Sequence, residues 1–246
     1  MSSNVTASHK IDSTQPLAPS GVPIAATCFQ QLEYPFMVEH GDPILLPSTL
    51  ASAAHRRAEA LIPTPYGNFR MIAYSDDPEA YAPHIALVHP DMDPESEVIV
   101  RIHSECITGD LFGSKRCDCG EQLNRAMRIA SAGKGIVIYL RQEGRGIGII
   151  NKLKAYQLQD QGLDTIEANL HLGLEIDDRH YEVAQGMLQD LGVSKIQLLT
   201  NNPEKMEAFG EGPVEVVRRL PIIIDPVKEN MGYLHTKEFS MGHWLK

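Results

Sequence analysis

Short apolar runs alternate with polar turns rich in glycine or proline from residue 62 onwards. Apolar or β-branched runs bounded by such turns are typical of strands, and they occur at 67–74, 85–88, 98–103, 135–140, 195–199 and 214–220. Apolar residues spaced three to four positions apart predict helices at about 120–133, 149–161 and 180–191. Strands that alternate with helices indicate an α/β domain.

The first 60 residues follow a different pattern. Residues 1–20 carry Ser, Thr, Pro and Asn with few apolar side chains, which predicts a disordered tail. Six prolines from Pro16 to Pro47 exclude long regular elements, so the apolar residues between them predict an extended arm. Residues 48–61 predict a short linking helix. We therefore expect a tail, an arm and a linking helix over 1–60, and the main domain over 61–246.

The composition is that of a globular protein. With 246 residues, 43% of them hydrophobic, the chain is long enough to build a full core. No leader with a basic start and an apolar centre is visible, and no apolar run approaches the roughly eighteen residues of a membrane span. We therefore expect a cytoplasmic protein with no membrane partner. Four cysteines in such a chain favour metal binding or catalysis over disulfides.

Charge is distributed unevenly along the chain. The net charge is -10, yet residues 101–154 carry 10 basic against 5 acidic side chains, and the segments on either side are acidic. A local positive field in an acidic protein suits a small polyanion such as a nucleoside triphosphate. Duplex nucleic acid would require a basic domain overall, so we expect no nucleic-acid partner.

Three cysteines lie close together in this basic segment, at Cys106, Cys117 and Cys119, whereas Cys28 lies far from them. Thiolates bind zinc, and three protein ligands leave the fourth tetrahedral position open for water, as in catalytic zinc sites. Buried, inert thiols are the alternative, because cysteine is among the most buried residue types. The charged residues at 115, 116 and 118 do not suit a core, and they favour the metal site.

Two of the predicted strands are followed by polar loops. After the strand at 135–140, residues 141–148 contain three glycines, two arginines and a glutamate. Such a loop brings backbone amides close to phosphate, although a plain turn is the alternative. After the strand at 195–199, Asn202 is a good N-cap and Pro203 a good first helical residue, so a simple helix start also explains that segment.

Together these motifs resemble GTP cyclohydrolase II, the enzyme that opens riboflavin biosynthesis. The resemblance covers residues 61–245 and rests on six segments, at 101–106 (RIHSEC), 117–119 (CDC), 141–145 (RQEGR), 160–162 (DQG), 200–203 (TNNP) and 241–243 (MGH). It implies a layered mixed sheet with flanking helices, and a catalytic domain over 61–246. It also implies hydrolysis of GTP to 2,5-diamino-6-(5-phosphoribosylamino)pyrimidin-4(3H)-one, formate and pyrophosphate.

The resemblance also implies roles for individual residues. Cys106, Cys117 and Cys119 would bind one zinc ion per chain, and water activated there would attack C8 of the guanine ring. Asp177 would be the acid/base residue, Arg179 the nucleophile at the α-phosphorus or a stabiliser of the departing pyrophosphate, and Tyr156 the residue needed for deformylation. GTP would contact Arg101, Ile102, His103, Ser104, Glu105, Gln122, Glu143, Gly144, Arg145, Thr165, Thr200 and Lys205.

Two further implications are Mg2+ on the substrate triphosphate, without protein ligands, and a homodimer. Two other functions stay open at this point. One is a zinc-dependent relative that acts on another purine or stops after ring opening. The other is a nucleotide-sensing or structural zinc module, which would need a fourth protein ligand. His103, three residues before Cys106, is the nearest candidate for that ligand.

Overall fold

A computed structural model describes residues 55–210 and 212–245 of the chain. Within them, seven strands form one sheet in the order β1-β2-β3-β5-β4-β6-β7. The strands are β1 (Arg56–Thr64), β2 (Gly67–Tyr74), β3 (His84–Val88), β4 (Val98–Ser104), β5 (Ile136–Leu140), β6 (Lys195–Leu199) and β7 (Glu215–Leu220). The helices are α1 (Ile107–Asp110), α2 (Cys119–Ala132), α3 (Gly148–Gln159), α4 (Thr165–His171), α5 (Glu182–Asp190), α6 (Pro203–Glu207) and α7 (Met231–His235).

The sheet is mixed, with an antiparallel side and a parallel side. β1, β2, β3 and β5 pair antiparallel, whereas β5, β4, β6 and β7 run parallel to one another. This mixed sheet with its flanking helices confirms the predicted fold class. Because β4, β5 and β6 are parallel, their carboxyl ends meet at one edge of the sheet, which is where ligands bind in open α/β folds.

Apolar side chains on the two faces of the central strands form two hydrophobic clusters. On one face, Val100 of β4 and Ile138 of β5 belong to the same cluster as Met187 of α5. On the other face, Val137 of β5 shares a cluster with Met127 of α2. Burying a side chain of this size contributes about 1.5–3 kcal/mol. The central strands are therefore held from both sides, and the loops at their carboxyl ends start from fixed positions.

The strands and helices predicted from the apolar pattern are confirmed. Each predicted strand coincides with one of β2 to β7 to within one residue at either end. The helices predicted at about 120–133, 149–161 and 180–191 correspond to α2, α3 and α5. Asn202 is the N-cap of α6, because its side chain accepts the backbone N–H of Glu204, and Pro203 is the first helical residue.

The linking helix predicted over residues 48–61 is wrong for the part that the structure describes. Arg56–Thr64 is strand β1, which pairs antiparallel with β2 at the edge of the sheet. Its first six side chains are all exposed, so β1 lacks the alternation of buried and exposed positions that identifies a strand. Ala and Leu favour helix locally, but pairing with β2 and the ion pair between Arg70 and Glu59 override that preference.

The predicted tail over 1–20, the arm that follows it and Cys28 lie outside the residues that the structure describes. Within residues 55–210 and 212–245, no helix is both long enough and apolar enough to cross a membrane.

Candidate active site

A cavity lies at the carboxyl ends of β4, β5 and β6. Counted out to its open mouth, it encloses about 1070 Å³ of space between the atoms that line it. The residues that follow each of these three strands contribute to its lining, among them Glu105, Arg145 and Asn201. The parallel strands thus bring together motifs that are about 100 residues apart in the sequence.

The three cysteines predicted as metal ligands form one cluster in the lining of this cavity. Cys106 caps α1, Cys119 begins α2, and the three Sγ atoms lie within 4.8 Å of one another. The Sγ atoms of Cys106 and Cys117 are 3.5 Å apart. All three are free thiols. Zn–S bonds of about 2.3 Å in a tetrahedral site would place two sulfur atoms about 3.8 Å apart, so this spacing suits one shared ion.

Two glycines allow α1 and α2 to meet beside the cluster. A Cβ atom on Gly109 would lie 2.9 Å from the Sγ of Cys117 and 3.2 Å from the Sγ of Cys106. A Cβ atom on Gly120 would lie 2.3 Å from the carbonyl oxygen of Gly109. At each glycine, an added Cβ atom would make at least one contact shorter than 3.0 Å, so a larger residue does not fit at either position. The space next to the sulfur atoms therefore depends on glycine at these positions.

Asp110 fixes the surroundings of Cys106. Its carboxylate accepts the Cys106 backbone N–H at 2.9 Å and the Tyr139 hydroxyl at 2.9 Å, and it lies 3.1 Å from His103 Nε2. His103 also stacks on Tyr139, with ring centroids 5.5 Å apart. His103 is thus engaged by Asp110, and the metal-binding group within the described residues consists of three thiols. This arrangement does not favour the four-ligand site of a structural zinc module.

Lys152 of α3 places a positive charge beside the cysteines. Its Nζ lies 3.1 Å from the Sγ of Cys106 and 2.8 Å from a carboxylate oxygen of Glu143. Hydrogen bonds from the other two thiols lower the pKa of Cys106, and Lys152 lowers it further, against the effect of burial. The pKa of Cys117 is raised to about 11, mainly through its hydrogen bond with Cys106. Of the three thiols, Cys106 is thus the one whose deprotonated form these surroundings favour most.

The loop between β5 and α3 presents Arg145 to the cavity. Gly144 and Arg145 lie within a 3-10 turn at Glu143–Gly146, and both have left-handed backbone conformations, with φ of 62° and 63°. Such a conformation is strained for a residue that is not glycine, and strain of this kind is concentrated at functional sites. The two terminal nitrogens of Arg145 are buried without a hydrogen-bond partner among the described residues. They are available to an anionic ligand.

A chain of hydrogen bonds holds the side chain of Arg101, which lies in the middle of β4. Its guanidinium donates to the carbonyl oxygen of Leu199 at 3.0 Å and to the amide oxygen of Gln122 at 2.8 Å. Gln122 in turn donates to the carboxylate of Asp118 at 2.6 Å. Arg101 is only 6% exposed, and this network fixes its charge at the wall of the cavity.

Lys205 of α6 is a second buried cation in the lining. Its Nζ donates to the carbonyl oxygen of Ile102 at 2.8 Å, and the residue is 4% exposed. Burial lowers the pKa of Lys205, and the positive charges of Arg101 and Arg179 lower it further. Across the described part of the chain, no salt bridge joins it to a carboxylate. A phosphate in the cavity would balance this charge and favour the protonated amine.

Asp177 and Arg179 form a bidentate ion pair beside the cavity. The Nε of Arg179 donates to one carboxylate oxygen of Asp177 at 2.7 Å, and a terminal nitrogen donates to the other. Burial acts to lower the pKa of Arg179, but the hydrogen bond and charge of Asp177 outweigh it and raise the pKa overall. The guanidinium thus stays protonated and offers positive charge rather than a lone pair.

Tyr156 of α3 lies near the cysteines, with its ring against two cations. Arg116 Cζ is 4.5 Å from the ring centroid and Lys152 Nζ is 5.8 Å from it. Burial raises the pKa of the Tyr156 hydroxyl, and the opposing effects of Lys152 and of a hydrogen bond with Thr108 are smaller. The hydroxyl is therefore neutral at neutral pH and can donate a hydrogen bond into the cavity.

Most of the predicted site residues line this single cavity. Those that do are Arg101, His103, Ser104, Glu105, Cys106, Cys117, Cys119, Gln122, Gly144, Arg145, Tyr156, Thr165, Arg179, Thr200 and Lys205. The side chain of Ile102 is fully buried in the core, and its carbonyl oxygen accepts from Lys205. Glu143 accepts the Ile107 backbone N–H and pairs with Lys152, and Asp177 holds Arg179. These three residues support lining residues and do not face the cavity.

Several lining residues are missing from the prediction. Lys152 belongs to the basic segment and Asn202 to the TNNP motif, so a signal for each was present. Tyr233, Lys237 and His243 come from the C-terminal residues, where only the MGH motif indicated a function. Nothing in the local sequence marks Lys237, because its place in the cavity results from the fold.

Comparison with known proteins agrees with this geometry. The family model for GTP cyclohydrolase II matches residues 55–221. The GTP cyclohydrolase-2 of Actinobacillus succinogenes is 48% identical over 191 residues, which are 77% of this chain and 88% of that protein. The riboflavin biosynthesis protein RibBA of Chlorobium phaeovibrioides is 50% identical over 191 residues, which are 77% of this chain and 46% of that longer protein.

Among solved structures, the two-domain 3,4-dihydroxy-2-butanone 4-phosphate synthase RibBX of A. baumannii covers 72% of this chain and 42% of its own, at 22% identity. Its TM-score of 0.38 is too low to support an argument. The sequence matches carry the assignment, because the matched residues span most of the chain and include the cysteine cluster and the loops that follow β4, β5 and β6. The chain therefore belongs to the GTP cyclohydrolase II family of hydrolases.

Proposed function

We propose that this chain hydrolyses GTP to 2,5-diamino-6-(5-phosphoribosylamino)pyrimidin-4(3H)-one, formate and pyrophosphate, as the first committed step of riboflavin biosynthesis. The observation that carries the proposal is a cluster of three convergent thiols in the wall of a cavity rich in cations. GTP as the substrate follows from the family. The Chlorobium relative is named as a riboflavin biosynthesis protein, which supports the place in that pathway.

The residues present fit one zinc ion per chain. Cys106, Cys117 and Cys119 would hold it, since soft thiolates within 4.8 Å of one another are a donor set that zinc prefers. Gly109 keeps the adjoining space clear of side-chain atoms. Bound there with three protein ligands, zinc would supply an activated water and a Lewis acid for the two hydrolytic steps at C8 and at the formyl carbon.

We propose that the triphosphate is bound by Arg145, which follows β5, by Lys205, which follows β6, and by Arg179. Arg145 offers two unpaired terminal nitrogens, and Lys205 has no salt-bridge partner among the described residues. Charge-assisted hydrogen bonds from such groups are about twice as strong as neutral ones. Mg2+ would accompany the triphosphate, because it keeps several waters and bridges phosphate oxygens without a protein cage.

Arg179 is proposed to stabilise the charge on the departing pyrophosphate. Arg179→Met should slow pyrophosphate release by about 10²–10³-fold or more, and Arg179→Lys should retain part of the rate because it keeps a cation. The rate of pyrophosphate release by each variant is measured in a single turnover. Arg218→Met, which removes an exposed guanidinium on β7, is the matched control. A nucleotidyl adduct on Arg179, detected by mass spectrometry in the wild-type protein, would establish a nucleophile instead.

The overall proposal is tested with the purified full chain, GTP and Mg2+. Formate, pyrophosphate and the ultraviolet spectrum of the product are followed together. We expect one formate and one pyrophosphate per GTP consumed. A product that keeps its formyl group would favour the relative that stops after ring opening. Binding of GTP without any turnover would favour the sensor and contradict the proposal.

We further propose a cytoplasmic homodimer. The three free thiols suit a reducing compartment, where disulfides are rare. Leu111, Phe112 and Ile150 are large apolar residues that are 69%, 75% and 70% exposed, and exposed apolar groups of this kind favour association of copies. Light scattering with size-exclusion chromatography measures the mass in solution, and a single-chain mass of 27.2 kDa would contradict the dimer.

A further inference from the structure

The C-terminal segment, residues 231–245, forms one wall of the cavity. Tyr233, Lys237 and His243 line it. The resemblance includes His243 in the MGH segment but implies no role for any of the three residues. The backbone N–H of His243 donates to the carbonyl oxygen of Lys237 at 3.0 Å. The backbone N–H of Trp244 donates to the carbonyl oxygen of Asn201, after β6, at 2.9 Å. The segment is therefore folded onto the same strand end that carries Thr200 and Lys205.

Lys237 connects this segment to the residues between two predicted metal ligands. Its Nζ donates to a carboxylate oxygen of Asp118 at 2.7 Å, and the two side chains are 10% and 2% exposed. Asp118 lies between Cys117 and Cys119 in the sequence. Removing one partner of a buried ion pair leaves the other charge buried and uncompensated, which is strongly unfavourable. The ion pair therefore fixes the positions of both side chains, Lys237 and Asp118.

Asp118 extends this constraint to Arg101. Its second carboxylate oxygen accepts from Gln122, whose amide oxygen accepts from the guanidinium of Arg101. The network thus passes from the C-terminal segment through the start of α2 to Arg101 in β4. The side-chain amide of Gln122 bonds to Asp118 through its nitrogen and to Arg101 through its oxygen. A shift of Asp118 would therefore move the guanidinium of Arg101 at the cavity wall.

Lys237 also contacts a second lining residue, Tyr233. Its Nζ lies 4.5 Å from the ring centroid of Tyr233, and Cζ of Arg145 lies 5.8 Å from the same ring. Cations over the face of a tyrosine are attracted by its ring electrons. Tyr233 therefore joins Lys237 to Arg145, whose terminal nitrogens have no other partner among the described residues.

We propose that Lys237 is a positioning residue for GTP, which holds Arg101 through Asp118 and Gln122, and Arg145 through Tyr233. The inference rests on the proposed function, because GTP is the ligand that the two arginines would bind. Lys237 acts on groups that contact the substrate in its ground state. Its loss should therefore weaken GTP binding more than it slows the hydrolysis of bound GTP.

The test compares Lys237→Met with Lys228→Met, which removes an exposed lysine nine positions earlier in the chain. For Lys237→Met we expect the KM for GTP to rise by about tenfold or more, with kcat changed by less than about threefold. Zinc content should stay at the wild-type value, since the three thiols are intact. Lys228→Met should match the wild type in KM, kcat and zinc.

Trp244 provides a spectroscopic readout of the segment, because the chain contains one tryptophan. Lys237→Met should shift its fluorescence emission to longer wavelength and make it more accessible to acrylamide quenching, whereas Lys228→Met should not. If Lys237→Met does not fold, Lys237→Gln replaces it, because the glutamine amide can still donate to Asp118. The same rise in KM is expected for Lys237→Gln, since the positive charge is lost.

Two results would overturn the proposal. One is a lower melting temperature with KM and tryptophan emission unchanged, which would make Lys237 a structural residue only. The other is loss of zinc from Lys237→Met, which would assign Lys237 to the cysteine cluster. Failure of the proposed function would look different, because the wild-type protein itself would then release no formate from GTP.

Discussion

Cys117→Ser is expected to contain less than about a tenth of the wild-type zinc and to release no measurable formate from GTP. Serine is almost the same size as cysteine, so the buried site should still fold. Its hydroxyl, however, is neutral at neutral pH and is a hard, weak ligand for zinc. Two thiols would remain, at Cys106 and Cys119, and two protein ligands do not hold a zinc ion firmly. Zinc is measured by plasma emission spectrometry on protein of known concentration.

Cys28→Ser is the matched control, since Cys28 lies outside the described residues and far from the cluster in sequence. It should keep both zinc and formate release at the wild-type level. Circular dichroism of Cys117→Ser should resemble that of the wild type, which separates loss of metal from loss of fold. Undiminished zinc in Cys117→Ser would show that the metal is bound elsewhere.

The fold was largely predictable from the apolar pattern because most strands are buried on at least one face. β5 is a continuous apolar run that lies between two layers of helices, and such a run is conspicuous in a sequence. β1 was missed for the opposite reason. Its side chains are mainly exposed, and only its backbone pairing with β2 makes it a strand. The start of α4 does carry a sequence signal, since Asp164 and Glu167 form a capping box there.

The site was predictable where its chemistry is local in sequence. Cys106, Cys117 and Cys119 fall within fourteen residues, and their types alone indicate a metal. The sequence does not show that Glu143 and Asp177 support lining residues and do not line the cavity themselves. That distinction depends on which way each side chain points. Lys237 was unpredictable for a similar reason. It reaches Asp118, 119 positions away in the chain, only once the C-terminal segment has folded onto the sheet.

Tyr156→Phe is expected to separate the two hydrolytic steps. The variant should consume GTP and release pyrophosphate, but accumulate the ring-opened formamide and release formate at least about 10²-fold more slowly. The formamide is an acyclic group that can rotate, so its carbonyl needs a donor to hold and polarise it. C8 in the intact guanine is held by the fused ring system, and ring opening should depend less on such a donor.

The position of Tyr156 supports this role. Its ring packs against Arg116 and Lys152, and its hydroxyl is close enough to Thr108 to share a hydrogen bond with it. Thr108 in turn lies 3.6 Å from the Sγ of Cys106, so the hydroxyl is directed toward the cysteine cluster. Because burial raises the pKa of Tyr156, it donates a hydrogen bond without adding negative charge beside the thiolates.

Mass spectrometry of the Tyr156→Phe product distinguishes the possible outcomes. A product that retains the formyl mass, together with normal pyrophosphate release, supports a role in deformylation. Tyr66→Phe is the matched control, because Tyr66 donates to Asn124 away from the cavity lining and should leave the formate yield unchanged. Wild-type rates of both products from Tyr156→Phe would contradict the role, and would show that the ring packs against Arg116 and Lys152 without taking part in the chemistry.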